Sequence, residues 1–514
     1  MNRRRADPPA TAPAGRTRSA TLIVVAALVL GLAARGVALW LAPAYSYVPD
    51  HVSNMGWSTY AVEHGVWHIY DLPPRQPLVI IARDRRTGRV VRDPRTGKPR
   101  YGLQINAHPC NYPPASAYLF WLQGIVWHTL DPHVVALHLP RELQRRAGVA
   151  GVVRSRAVNT HASRFADAFP GLVFDLLLAW GVAALVGELG GERRRLRQAL
   201  AFALTYVAPP VLLDSAFWNQ ADSWITCLLV WTLVLLIRRR LVAAGVVYGL
   251  ALMTKPQAIL LAPVLLYVLV AMRFGPAGSW RRALALWKAA AAAIVTVAVV
   301  AAPFMIADAR APSNPDGALR WFRRSYVETI GKPAYERTTL SAFNIWWFDL
   351  LAQGRPQSPA EMKTAWDTSR PLLGVRKALL GKLLLGLAIV LAWAFGGWRG
   401  GWTPTSWVAC AMLVLLAAFA LPTGVHERYI YYCIPFAIAL AVCGKRWIAP
   451  AAALLLVGTF EMTSFRWAGY PTHLFAPGQP AARHFSLFLA ALVVSSLLYG
   501  YLALLAPPPR EVRA

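Results

Sequence analysis

Apolar stretches long enough to cross a bilayer recur along this chain from residue 20 to residue 506. A membrane-spanning helix needs about 20 apolar residues. Only helices and closed barrels satisfy every backbone polar group inside hydrocarbon. Ala20–Leu41 is the first such stretch. Others lie at about 165–188, 198–216, 222–237, 241–254, 256–272, 285–306, 374–396, 404–421, 428–444, 447–462 and 484–506. The 241–272 stretch reads as two short helices meeting at Lys255-Pro256. The sequence therefore predicts an all-α polytopic membrane protein of about twelve spans. Composition agrees: of 514 residues, 56% are hydrophobic and 15% charged, against about 25% charged in a soluble domain. A soluble enzyme, a disordered scaffold and a disulfide-rich secreted domain are excluded.

The net charge of +29 does not mark a nucleic-acid partner. Basic residues sit in short clusters between apolar stretches: Arg193-Arg194-Arg195, Arg238-Arg239-Arg240, Arg281-Arg282 and Lys445-Arg446. With the N-terminus inside, all four fall on the cytoplasmic side, as the positive-inside rule requires of short loops. Residues 1–19 then read as a disordered cytoplasmic tail, 20–506 as the transmembrane domain and 507–514 as a second cytoplasmic tail. Ala42-Pro43-Ala44 resembles a signal-peptide cleavage site, but the run before it exceeds the about 7–15 residues of a signal h-region. An uncleaved span is expected. The five cysteines give no disulfide framework.

Residues 43–164 read as a long first extracytoplasmic loop. They hold 8 of the 11 histidines. Within them, Arg83–Arg100 has no apolar period and predicts a solvated hairpin or loop. Pro113–Leu130, rich in Trp and Tyr, predicts a helix lying along the membrane surface. No internal repeat is evident, nor the inverted halves of many transporters.

Unusual polar residues collect at the extracytoplasmic ends of the spans. Asp50 follows the first helix. Gln220 and Asp222 lie in Trp218-Asn219-Gln220-Ala221-Asp222, between two spans. Lys255 interrupts an apolar stretch. Asn344 lies in an outer loop, and His426, Glu427 and Arg428 precede a late span. Charges at membrane depth are costly and are kept where they pair or serve function. Each residue also has a structural reading. Asp222 could cap its helix, Lys255 could snorkel, Asn344 could hold a turn, and His426-Glu427-Arg428 could be a local ion-pair cluster. His64 and His68 have the i,i+4 spacing of a metal pair, but no carboxylate or Cys completes a site. No metal or other cofactor is expected.

At these residues the chain resembles the GT-C superfamily of polytopic glycosyltransferases. Within it, the likeness is to the dolichyl-phosphate-glucose-dependent glucosyltransferases of N-glycan assembly and their bacterial relatives. Asp50 with Trp57 matches a loop Asp followed seven residues later by Trp. Tyr112-Pro113-Pro114-Ala115-Ser116-Ala117-Tyr118 matches a run that opens a juxtamembrane helix. Gln220 with Asp222, Lys255 through Pro263, Phe343-Asn344-Ile345-Trp346 and Val425-His426-Glu427-Arg428 match further elements in order. Three features depart from the family pattern. Arg428 replaces Lys, Asn111 replaces an acidic residue, and the Arg-rich 83–100 segment is an insertion.

The resemblance implies a GT-C-type bundle with juxtamembrane helices in its first loop. It implies inverting transfer of a hexose from a polyprenyl-phosphate-linked donor, on the extracytoplasmic face of the plasma membrane, to a glycan, lipid or protein acceptor. Asp50 would be the catalytic base. Arg428, His426 and Lys255 would bind the donor phosphate. Glu427, Gln220, Asp222, Tyr112, Trp57 and Asn344 would support the substrates, and the spans would groove the lipid chain. Two rivals remain at this point: a polysaccharide polymerase or ligase using a lipid-pyrophosphate donor, and a transporter or flippase.

Overall fold

The computed structural model describes residues 14–506, apart from 74, 85–86, 107, 149–150, 276–277, 312–315, 331–336, 353–370 and 465–479. Of the expected tails 1–19 and 507–514, residues 1–13 and 507–514 lie outside the described residues, while residues 14–19 are helical and extend the first span rather than forming a disordered tail. The architecture is a polytopic membrane bundle that is mostly helical, with short β-hairpins outside the spans where all-α was expected. Its main helices are α1 (Ala14–Tyr45), α2 (Val48–His64), α3 (Pro114–Leu130), α4 (His161–Leu189), α5 (Arg194–Tyr206), α6 (Asp222–Ile237), α7 (Leu241–Thr254), α8 (Ala262–Phe274), α9 (Trp287–Arg310), α10 (Lys377–Trp398), α11 (Pro404–Ala420), α12 (Ile434–Cys443), α13 (Ile448–Glu461) and α14 (Pro480–Leu505).

The helix boundaries follow local chemistry. Pro404 opens α11 behind Thr403, whose side chain accepts from Ser406 N; Pro suits the first turn because its missing N–H would have no partner there. Thr160 and Ser163 close a reciprocal capping box at the start of α4. The predicted span at 198–216 is broken: Arg194–Tyr206 and Pro209–Trp218 meet at 48°. Pro209 and Pro210 cannot continue the hydrogen-bond ladder.

Six described helices are long and apolar enough to cross a membrane, or seven if the bent pair is one span. The shorter apolar helices α6, α7 and α11 pack among them. The expected twelve spans are compatible with this set. Burial sorts the helices by position. In α11 every residue from Ser406 to Ala420 is buried, so it forms the centre of the bundle. By contrast, Leu22 of α1 and Val299 of α9 are 68% and 66% exposed. Such apolar faces suit contact with lipid tails, where no polar surface is needed.

The first long loop is folded. Strands β1 (Gln76–Ile81) and β2 (Tyr101–Asn106) pair antiparallel. Strands β3 (Val135–His138) and β4 (Val152–Ser155) form a second hairpin. Helix α3 coincides with the segment expected to lie along the membrane surface. It packs on α2, α4 and α7, and Ser116 Oγ donates to Thr254 O at the end of α7.

Candidate active site

The site is assembled where several helices begin or end. Asp50 sits in the first turn of α2, where the helix dipole favours a carboxylate. Its Oδ2 accepts from Gln220 Nε2 at 2.8 Å and from Trp218 Nε1 at 3.2 Å. No described residue bonds Oδ1. The partners come from a π-helical turn, 213–218, and the residues after it. Asn219 there is left-handed at φ 65°, a conformation that Asn tolerates better than most residues. It is pinned on both sides. Arg164 donates to its Oδ1 at 2.9 Å and Asn54 to its carbonyl at 3.1 Å.

The second half of the site is an ion cluster around Asp222. Oδ1 accepts from Lys255 Nζ at 2.5 Å and from Tyr432 OH; Oδ2 lies 3.4 Å from Arg428 Nε. Asp222 therefore does not cap its helix, and Lys255 does not snorkel. Lys255 is 3% exposed, with Tyr112, Tyr429 and Tyr432 rings 5.5–6.0 Å from its ammonium. Arg428 lies 5.7 Å over the Trp218 ring. The indole thus bonds Asp50 at its N–H and faces the Arg428 guanidinium with its ring. Both Arg428 and His426 lie within electrostatic reach of Asp50.

The surroundings of His426 set its charge. Burial, and then the charge of Arg428, push its pKa below 6.5, against a smaller upward pull from Glu427. The ring is neutral at pH 7 and offers a hydrogen bond, not a fixed charge. Its backbone bridges to Leu340 and Ser341.

Other predicted residues divide by role. Glu427 is buried beside His426 and Arg428, at 3.6 and 3.9 Å. Tyr112 meets Trp57 at a tilt and Phe120 edge-on while facing Lys255. Trp57 is core: it donates to His108 O and is 4% exposed. Asn344 holds a turn. Its Oδ1 accepts from Trp346 N, and its Nδ2 reaches Phe419 O and Pro422 O. That ties the 341–346 loop to the segment carrying His426. His64 and His68 turn to separate partners, Tyr60 O and Asp71. Among the described residues no three His, Cys, Asp or Glu side chains gather as a metal site requires.

Sequence reasoning missed the network under Asp50. Asp167 Oδ2 bonds His51 Nδ1 at 2.6 Å, and His51 Nε2 meets Ser163 Oγ at 3.1 Å. The order Ser–His–Asp suggests a nucleophile relay, but all three residues are at most 2% exposed and Ser163 serves the capping box. The network holds α2 against α4. Its only sequence signal was an Asp in the first turns of an apolar span.

Residues 104–314 match the model of the ALG6, ALG8 glycosyltransferase family. The match takes in Tyr112, Gln220, Asp222 and Lys255 and leaves Asp50 and Arg428 outside. No similar sequence occurs among curated proteins. Among solved structures, the chain is similar to ArnT from Cupriavidus metallidurans bound to undecaprenyl phosphate: 16% identity, TM-score 0.42, covering 95% of this chain and 77% of that one. It is also similar to the Archaeoglobus fulgidus oligosaccharyltransferase tethered to an acceptor peptide: 13% identity, TM-score 0.34, covering 94% of this chain and 56% of that one. Over residues 104–314 the likeness is to a class of glycosyltransferases, in a chain with six described helices long and apolar enough to cross a membrane. Over the matched residues the particular likeness is to the ALG6 and ALG8 enzymes.

Proposed function

We propose that this enzyme transfers a hexose, with inversion, from a polyprenyl-phosphate-linked donor to a hydroxyl of a glycan, lipid or protein acceptor, at the extracytoplasmic boundary of the plasma membrane. The domain is residues 20–506. One observation carries the reading: Asp50 and Arg428 flank the same indole, Trp218, one by hydrogen bond and one over the ring. A hydroxyl is a poor nucleophile and needs a base during attack. Asp50 Oδ1 takes the acceptor proton, while Gln220 and Trp218 hold Oδ2 and so fix the carboxylate's direction.

The sugar carbon gains its bond to the acceptor oxygen as its bond to the lipid phosphate breaks. Negative charge grows on that phosphate and needs a fixed positive partner. Among the described residues, the terminal guanidinium nitrogens of Arg428 make no hydrogen bond, so its fork is open to phosphate oxygens. Asp222 holds Arg428 and Lys255 in place; Lys255, spent on Asp222, acts at longer range.

Asp50→Asn keeps the size and loses the base. Sugar transfer should fall by about 10²–10⁴-fold, with insertion and melting unchanged. A labelled polyprenyl-monophosphate hexose is the substrate to use. Normal turnover by the variant removes Asp50 as base. Label arriving only from a lipid-pyrophosphate oligosaccharide points to the polymerase or ligase reading.

A further inference from the structure

The Arg-rich insertion is a repeated structure. Its two halves, Arg83–Gly88 and Arg92–Gly97, share the order Arg-Asp-x-Arg-Thr-Gly at a nine-residue period. The bonds repeat too. Asp84 accepts from Thr87 N and Asp93 from Thr96 N, at 2.7 and 2.9 Å. Gly88 N donates to Asp84 O and Gly97 N to Asp93 O, both at 2.9 Å. Arg83 donates to Gly88 O and Arg92 to Gly97 O, at 3.0 and 2.9 Å. Both glycines are left-handed, φ 68° and 66°, as the turn requires. The repeat is local and polar, so no apolar periodicity marks it.

The repeat leaves an unbalanced charge. Both acids are spent inside their own turns. Arg89, Arg92, Arg95, Lys98 and Arg100 are exposed, while the described apolar residues between them, Val90 and Val91, are half-buried. The first turn is fastened to the end of the α1 span. Tyr45 OH donates to Thr87 O at 3.4 Å, and a Cβ on Gly88 would fall 2.6 Å from Ala44 Cβ. Trp40, one turn earlier, is 71% exposed and stacked on His161, the setting of an interfacial Trp. Five exposed cations thus stand beside the place where a spanning helix leaves the bilayer, where anionic headgroups act within a Debye length of about 8–10 Å.

We propose that Arg89, Arg92, Arg95, Lys98 and Arg100 of the tandem turn form a membrane-surface clamp that binds the phosphates of anionic phospholipids in the leaflet where α1 ends. The clamp would hold the loop bearing β1 and β2, and through it α2, at a set height over the bilayer. Asn106 and Gln76 carry this link, since Gln76 Nε2 donates to Gly56 O of α2.

The test uses the full chain in nanodiscs of phosphatidylcholine, alone or mixed with phosphatidylglycerol, and reads amide exchange over 84–98 by mass spectrometry. Exchange should slow about fivefold with the anionic lipid and recover in high salt. The triple variant Arg89→Ser, Arg95→Ser, Lys98→Ser leaves the bonds that build both turns and should lose the protection. Equal exchange in the two lipid mixtures overturns the proposal. So does protection by a soluble anionic polysaccharide with none from phosphatidylglycerol, which would assign the cations to a glycan. Sugar transfer is not the readout, so this result stands apart from the role of Asp50.

Discussion

Single residues set the charge state of the site. His426 is the clearest case: neutral imidazole is favoured because burial and Arg428 both oppose protonation. The folded protein binds this proton less readily than the unfolded chain. Stability from His426 is therefore complete above about pH 6.5 and is lost as pH falls below that value. Melting curves of wild type and His426→Gln at pH 7.5 and 5 should show a smaller acid loss in the variant. Equal losses would mean that other groups dominate. Arg428→Lys keeps a charge but loses the planar fork. We expect a loss in transfer of more than about tenfold, with Arg428→Gln lower still, read as kcat/KM for the lipid-linked donor. Asp50, Asp222, Lys255 and Arg428 were legible in the sequence because each is an oddity beside an apolar run. Trp218 was not, since Trp at a membrane boundary is ordinary.

Elements are held together by buried ion pairs that apolar patterning hides. Arg35 of α1 donates through Nε and Nη2 to Asp175 of α4, at 3.1 and 2.7 Å, and both residues are at most 2% exposed. Its remaining donors reach Tyr206 O and Gly31 O, and its guanidinium lies 4.1 Å over the Tyr206 ring. Helix α1 is otherwise mostly lipid-facing, so this pair fastens it. Arg35→Met should cost about 3–5 kcal/mol, because it strands a buried carboxylate; the Arg35→Met/Asp175→Met double should recover most of that. Thermal melting in one detergent reads both. The same logic holds for Lys255→Met beside Asp222. An Arg in the first apolar stretch and an Asp in the second were visible in sequence, but pairing residues 140 positions apart was not.

At the scale of the whole molecule, the bundle brings four chain segments to one end. The start of α2, the 218–222 link, the break at Lys255 and the 426–429 segment meet there. Most described spans were readable to within about six residues, apart from the one broken at Pro209, because a bilayer demands long apolar runs and short loops concentrate Arg and Lys. The insertion is a separable module by the same view. Ala82 N donates to Arg100 O at 2.9 Å, closing its base. Replacing 83–99 by Asn-Gly suits a two-residue hairpin turn and should leave the melting midpoint within a few degrees. A large drop would show that the module also supports the fold.

Amino-acid order alone determined that this chain is a helical membrane protein, where most helices begin and end, and which polar residues are out of place. Those are local matters of hydrophobic length, proline and charge. Tertiary structure decided that Asp222 holds Lys255 and Arg428, that Trp218 stands between base and guanidinium, that His426 is neutral and that Arg35 binds Asp175. Each depends on distances between residues far apart in the chain, and burial there changes what a charge costs.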